Sequence, residues 1–418
     1  MTNIVAAAYA AWLLAVEILF YALYSASSDE NATTLKISVL LGLVPAAGQL
    51  LLLGFNRFGS VASLRMVLVF LLIVLLGYLG NAQSNSLNWL ASLVFVFGVG
   101  LLVASCPDER LIRSIAVIYS IPAALFLIYV SITGEHVWGR LAAHGITSDW
   151  WGLMGAALAV TGLAHRSLVL VALCVFAGLY ITYDASARSD MLAILAGLIV
   201  VGAMHLRTLR GSRLVGTIAL TVVGLALFMV FAPTVIDTVS RAIVDTMKFN
   251  DPDRGLNSGL TGRTSVWAEA FQIWMKSPFL GVGFHQHQMF TSDNYEAHEV
   301  YLAALADTGI FGLIWYLSFI LGSLFAAFRL EDPRTRTTGV GTIVTYMAIG
   351  LFDARGFSSG NPASLYFVMC CFFSLRQASL RRAFRGAPAG YAAPGIAHDG
   401  ASGWAHVFAR VRGGGAGN

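Results

Sequence analysis

The sequence predicts an all-α polytopic membrane protein with about twelve transmembrane helices. Hydrophobic residues make up 57% of its 418 residues and charged residues only 11%, whereas about a quarter of a soluble domain is charged. The apolar residues also fall in runs of about twenty, the length that crosses a bilayer as a helix. Composition and run length therefore exclude a soluble globular fold.

The predicted transmembrane helices are apolar runs that follow one another along the chain. The first run has no basic segment before it and is long enough to span, so we interpret it as an uncleaved anchor and not as a signal peptide. The runs lie at about 4–24, 35–54, 62–80, 87–105, 111–132, 150–164, 167–183, 190–206, 214–232, 300–328, 338–352 and 362–376.

These runs divide the chain into four regions. Residues 1–232 hold helices one to nine, and residues 300–376 hold helices ten to twelve. Between them, residues 233–299 form one large loop, and long loops in compact proteins tend to be functional. Residues 377–418 form a tail that becomes rich in glycine and alanine, a composition that predicts disorder.

The basic residues predict the orientation, because cytoplasmic loops carry an excess of lysine and arginine. With the N-terminus in the cytoplasm, 17 of the 26 Lys and Arg residues fall on the cytoplasmic side. Acidic residues show the opposite distribution, with five of 22 on that side: Asp108, Glu109, Glu331, Asp332 and Asp399. The charges therefore predict cytoplasmic termini and a large loop on the outer face.

The large loop contains a predicted helix that starts close to an arginine. In “GRTSVWAEAFQIWMK”, Thr264 and Ser265 can cap a helix whose apolar residues recur at helical spacing. Arg263 would then precede the helix N-terminus, where backbone N–H groups, the helix dipole and a guanidinium together favour an anion. The alternative is an arginine on the surface of a loop.

A histidine marks the boundary between the large loop and the tenth helix, in “EAHEVYLAALADTGIFGL”. The imidazole of His298 can accept a proton from a hydroxyl near neutral pH. Glu299, the next residue, adds a negative charge that would favour a protonated imidazole. The alternative is a histidine held at the membrane interface without a chemical role.

Charged residues also flank two other predicted helices. Arg188 lies between Asp184 and Asp190, directly before the eighth helix, and Asp353 and Arg355 directly follow the eleventh. Charges this close to hydrocarbon are costly unless they are paired or face an aqueous cavity, so these residues are candidates for function. The alternative is a pair of side chains that extend to the interface.

Several other classes of site find no support in the sequence. His285 and His287, two residues apart, could be directed at a metal by a strand, but no third ligand has convincing spacing, so neither a metal nor another cofactor is predicted. The four cysteines suggest no disulfide framework. A net charge of +4 is too small to argue for nucleic acid.

Three stretches together resemble the O-antigen ligase and polymerase superfamily of bacterial membrane glycosyltransferases. “GRTSVW” through “SPFLGVGF” is similar to the family stretch in which Gly-Arg and a tryptophan precede a proline and Gly-x-Gly. “AHEVYLAALADTGIFGL” resembles its His-Asn motif with spaced leucines and two glycines, and “SARSD” its Ser-Arg-Gly. The resemblance covers residues from about 180 to 315 and the layout of helices over most of the chain.

The resemblance implies roles for individual residues. The essential arginine and histidine of the family correspond to Arg263 and His298, and its arginine at the head of a helix corresponds to Arg188. A late acidic position matches Asp353. We therefore expect these residues in the site, with Asp353, Arg355 and Glu299 binding substrate. Two departures are Glu299 in place of the family asparagine and Ser189 in place of its glycine.

The resemblance also implies an activity. The family transfers a glycan from an undecaprenyl diphosphate carrier to an acceptor hydroxyl on the periplasmic face of the inner membrane, without metal or nucleotide sugar. The implied partners are this lipid-linked donor, a glycan or lipid A–core acceptor, membrane lipid, and a chain-length regulator or flippase. Polymerase and ligase both remain open, although “DPDRGLNSGLTGR” resembles polymerase members.

Two other classes of function remain as alternatives. A lipid or polysaccharide transporter would be favoured by internal repeats, broken helices or several acids within helices, and none of these is clear in the sequence. A membrane subunit of an envelope complex without catalytic activity is the third interpretation.

Overall fold

A computed structural model describes residues 2–24, 44–45, 47–49, 61–81, 86–106, 108–134, 136–137, 140–141, 148–208, 263–292, 296–353, 357 and 361–385. The chain divides into a compact unit of residues 1–377 and a second unit of residues 378–418. Parts of the predicted helix at 35–54, the whole of the one at 214–232, and the tail beyond residue 385 lie outside the described residues.

The described part of the chain is almost entirely helical. Its helices are α1 (Thr2–Tyr24), α2 (Val61–Asn81), α3 (Ser86–Ala104), α4 (Leu111–Thr133), α5 (Ser148–Gly162), α6 (Leu168–Asp184), α7 (Arg188–Thr208), α8 (Arg263–Lys276), α9 (Val300–Phe328), α10 (Pro333–Ile349) and α11 (Pro362–Arg385). A two-residue antiparallel ladder joins His136–Val137 to Arg140–Leu141 between α4 and α5.

Small residues bring the central helices into close contact, as in many membrane proteins. The closest neighbours are α5 with α6, α7 with α10, and α1 with α4. Gly155 of α5 and Gly178 of α6 face each other, and a Cβ on Gly155 would lie 2.7 Å from the Gly178 carbonyl oxygen. The helices therefore pack backbone against backbone where these glycines meet.

Exposed leucines indicate where the bundle contacts lipid. Five leucines of α2 recur at helical spacing and are 48% to 77% exposed: Leu64, Leu68, Leu72, Leu75 and Leu79. A continuous apolar stripe of this kind is unfavourable in water and favourable in hydrocarbon. The outer face of α2 is therefore suited to a bilayer.

Among the described residues, six helices are long and apolar enough to cross a membrane: Thr2–Leu19, Ser86–Ala104, Leu111–Thr133, Arg188–Arg207, Val300–Phe328 and Pro362–Arg381. Two shorter apolar stretches are Ser63–Leu79 and Leu168–Asp184. The predicted class, an all-α multi-pass membrane protein, is confirmed. The count of twelve helices and the placement of the large loop between the ninth and tenth stay predictions.

Helix α9 is broken, although the sequence predicts one long helix from residue 300 to 328. Gly309 has φ 64° and ψ −168°, which interrupts the helical hydrogen bonds. The part from Ile310 to Phe328 rises about 28 Å, close to the thickness of the hydrocarbon core. The short part before the break can therefore lie along a different direction.

The segment 278–287 occupies the break in α9. The Pro278 carbonyl accepts a hydrogen bond from the Ile310 N–H (2.9 Å). In the other direction, the Val282 N–H donates to the Ala306 carbonyl (3.1 Å), and the Gly283 N–H donates to the Asp307 carbonyl (2.7 Å). The backbone groups that the break releases are thus paired again inside the protein, as membrane-embedded backbone requires.

We expect Gly309→Ala to destabilise the protein more than Gly322→Ala does. The left-handed conformation costs a residue with a Cβ roughly 1–2 kcal/mol, and a Cβ at position 309 would also overlap the backbone of Phe279 and Leu280. At Gly322 a Cβ would make an ordinary contact, 3.7 Å from Leu375. The measurement is the thermal stability of both variants in detergent, and equal stabilities would contradict the role of the break.

Candidate active site

His298 lies in an unusual backbone conformation directly before α9. Its φ is +50°, a left-handed value that residues with a Cβ rarely adopt. Its side chain is half-buried, and within the described part of the chain the imidazole has no hydrogen-bond or ion-pair partner. No group among the described residues therefore engages the ring nitrogens.

The residues on both sides of His298 are tied down by hydrogen bonds. The Ala297 N–H donates to His287 Nε2 (3.1 Å), and the Ala297 carbonyl accepts from Trp267 Nε1 (2.8 Å). After the histidine, the Val300 N–H donates to the Gly350 carbonyl (2.8 Å). Strained conformations persist where the surrounding structure over-determines them, and these contacts provide that restraint.

Glu299 is the N-cap of α9. Its carboxylate accepts hydrogen bonds from the N–H groups of Tyr301 (3.0 Å) and Leu302. Burial raises the pKa of Glu299, and the bonds from Leu302 and Tyr301 partly oppose this rise. The family asparagine expected at this position is also a good N-cap residue, so the substitution preserves the start of the helix.

Helix α8 carries Arg263 at its start and contacts the backbone next to His298. The helix begins at Arg263, so this residue starts the helix, whereas the sequence placed it before the N-terminus. Trp267 follows four residues later, on the same face of the helix. Because Trp267 donates to the Ala297 carbonyl, α8 contacts the backbone that carries His298 about one turn after Arg263.

A buried aspartate organises the loop beneath His298. Three backbone N–H groups donate to the Asp307 carboxylate, those of His285 (2.9 Å), Gln286 (3.0 Å) and His287 (2.9 Å). The imidazole Nδ1 of His287 lies 2.9 Å from the same carboxylate. Sequence reasoning missed Asp307, although an acid inside the apolar run 300–328 was a usable signal.

His287 has a structural environment and not that of a metal ligand. Burial alone would lower the pKa of His287, but the charge of Asp307 raises it above the ordinary value. The Ala297 N–H donates to Nε2, so that nitrogen carries no proton and the proton lies on Nδ1. Both ring nitrogens are therefore already engaged.

His285 is also engaged by protein groups. It lies on a turn with φ +56° and not on the strand that the metal alternative needed. Its ring stacks on Trp89 at 4.2 Å, and its Nδ1 lies 3.5 Å from Glu296. Across the described residues no three His, Cys, Asp or Glu side chains are grouped closely enough to hold a metal ion.

The second group of predicted residues lies where α7 begins and α10 ends. Arg188 is the first residue of α7, and Asp190, two residues on, is buried. Asp353 is also buried, and both carboxylates are close enough to act electrostatically on the Tyr346 hydroxyl. Asp184 belongs to a different contact, with Ser131 and His136.

This second group is connected to the His298 region. The Gly350 carbonyl that receives the Val300 N–H lies three residues before Asp353. The start of α9, with His298 and Glu299, thus lies next to the end of α10, with Asp353. The start of α7 lies near the same end of α10. Arg355 lies outside the described residues, and at Arg263 the backbone alone is described.

We expect Trp267→Phe to loosen the backbone at residues 296–300, because it removes the hydrogen bond to the Ala297 carbonyl. The measurement is amide hydrogen exchange of this segment by mass spectrometry. Trp274→Phe is the matched control, since it removes a similar bond in the same helix, to the Pro278 carbonyl (3.0 Å). Equal exchange in both variants at residues 296–300 would count against the link.

Comparison with known proteins agrees with the resemblance seen in the sequence. Residues 170–317 match the family described as O-antigen ligase. No curated protein matches the chain significantly. The matched segment contains Arg188, Arg263 and His298, and the match supports a relation of this region of the chain to the O-antigen ligase and polymerase family.

Proposed function

We propose that this protein transfers a glycan from an undecaprenyl-diphosphate-linked donor to an acceptor hydroxyl on the periplasmic face of the bacterial inner membrane. The observation that carries the proposal is the Trp267–Ala297 hydrogen bond (2.8 Å), because Trp267 follows Arg263 by four residues on α8 and Ala297 directly precedes His298. In this proposal Arg263 supplies a cation for the leaving diphosphate and His298 a base for the acceptor hydroxyl.

His298 acts in this proposal as the general base. Its ring nitrogen takes the proton of the acceptor hydroxyl as the oxygen attacks the anomeric carbon of the donor sugar. The bond from that carbon to the diphosphate breaks, and the diphosphate leaves with the bonding electrons. The absence of a partner for the imidazole among the described residues supports this role, since a base must be free to accept a proton.

Arg263 and Arg188 stabilise the negative charge that develops on the leaving diphosphate. A guanidinium offers a planar pair of donors that matches phosphate oxygens, and the N-terminus of α8 adds its backbone N–H groups. Arg188 stands at the N-terminus of α7 in a comparable setting. The chemistry then needs no metal.

Asp353 and Arg355 bind the substrate in this proposal. A buried carboxylate such as that of Asp353 can accept hydrogen bonds from sugar hydroxyls. Glu299 contributes through the first turn of α9, because its carboxylate oxygens already receive backbone N–H groups. These contacts support a role for Glu299 as the cap of α9.

The acceptor is either a growing glycan, which makes the protein a polymerase, or a lipid A–core, which makes it a ligase. The lipid-linked glycan pool of a deletion strain distinguishes them. Single repeat units on the carrier indicate a polymerase, and long chains left on the carrier indicate a ligase.

A transporter is the second candidate, because the broken helix α9 is a feature that transporters share. In a transporter, the backbone groups at such a break bind the ion or the substrate. Here the segment 278–287 pairs with the backbone and the Asp307 carboxylate of α9 instead. Glu17, another buried acid, accepts a hydrogen bond from the Tyr119 hydroxyl (2.8 Å). These contacts favour glycan transfer over transport as the function.

We expect His298→Ala to lower the rate of glycan transfer by about two to four orders of magnitude, the usual contribution of a general base. Purified protein with lipid-linked donor, acceptor and chelator is the assay. His205→Ala, at the far end of α7, is the control and should keep the wild-type rate. A His298→Ala rate close to wild type would overturn the base, and activity that disappears with chelator and returns with metal would overturn the metal-independent mechanism.

We expect Arg263→Lys and Arg188→Lys each to lose most of the activity, because lysine keeps the charge but not the planar pair of donors. Arg207→Lys is matched to Arg188→Lys, since Arg207 is an exposed residue at the other end of α7. Polymer output of the three variants in cells provides the measurement. Near-normal output from both of the first two variants would exclude the arginines as diphosphate ligands.

A further inference from the structure

The left-handed conformation of His298 depends on the residue before it. Ala297 is fully buried, and both of its backbone polar groups are bonded to side chains, its N–H to His287 and its carbonyl to Trp267. A rotation of the backbone at His298 would move these groups and break the bonds. The partners of Ala297 therefore determine where the imidazole of His298 points.

His287 can serve as a partner only in one tautomer. Its Nε2 accepts from the Ala297 N–H, so the proton must lie on Nδ1, which is 2.9 Å from the Asp307 carboxylate. A carboxylate beside Nδ1 selects this tautomer, because it accepts the Nδ1 proton. Asp307 itself is held by the backbone N–H groups of residues 285–287.

We infer that His287 is a positioning residue, which Asp307 holds in the Nδ1-protonated tautomer so that Nε2 secures Ala297 and keeps His298 in its left-handed conformation. The chain of contacts runs from α9 to the loop and back to the residue before α9. It acts on His298 through the backbone alone, and His287 does not touch the reacting groups.

Two substitutions at position 287 separate the two hydrogen bonds. Asparagine places an amide nitrogen at the position of Nδ1, so it can still donate to Asp307, but it has no atom at the position of Nε2. Glutamine reaches the position of Nε2 and can accept from the Ala297 N–H. His287→Asn should therefore release Ala297, and His287→Gln should rescue it.

The experiment measures amide exchange of residues 296–300 and steady-state kinetics on the purified full-length variants. We expect His287→Asn to speed the exchange and to lower kcat about tenfold to a hundredfold, with the KM for the lipid-linked donor unchanged. His287→Gln should restore slow exchange and most of kcat. Similar thermal stability of the two variants in detergent shows that both are folded.

The two readouts separate this inference from the proposed function on which it rests. Wild-type exchange at residues 296–300 in His287→Asn overturns the positioning role, whatever the rate. Faster exchange with a wild-type kcat supports the positioning of the backbone but overturns the use of His298 as the base. If exchange at residues 296–300 stays fast in His287→Gln, the assignment of Nε2 as the acceptor is also overturned.

Discussion

The carboxylate of Asp307 is the group on which the candidate site depends. It is buried within the broken helix α9, where an unpaired charge would be costly, and backbone N–H groups of residues 285–287 and the His287 imidazole surround it. These bonds attach the loop to the helix. The loop in turn provides His287, which reaches the residue before His298.

Strained backbone conformations concentrate around this attachment. His285 and His298 have left-handed φ values of 56° and 50°, and Gly281, Gly283 and Gly309 also have positive φ. A Cβ on Gly281 would overlap the Asp307 carbonyl, so glycine is needed for the loop to approach the break in α9. Such strain persists where many contacts over-determine it, and it is often found at functional sites.

Sequence patterns predicted much of this arrangement, although not its internal connections. Apolar runs of about twenty residues located most of the described helices, because hydrophobic length is set by the bilayer. The helix in “GRTSVWAEAFQIWMK” was also expected, but with Thr264 and Ser265 as its caps, whereas it already begins at Arg263. The sequence did not predict the break at Gly309, because a glycine within an apolar run is compatible with a continuous helix.

The sequence by itself determined the membrane class, the helical periodicity and the candidate residues Arg188, Arg263 and His298, because these follow from local composition and motif. Tertiary structure alone decided which of three histidines lacks a partner among the described residues. His285, His287 and His298 are similar in sequence context, but Glu296, Trp89 and Asp307 engage the first two and leave the third without a partner among the described residues. The physical reason is that hydrogen bonds form between groups that are close in space. Asp307 and His287 are 20 residues apart in the sequence, and they meet only because the loop folds back onto α9.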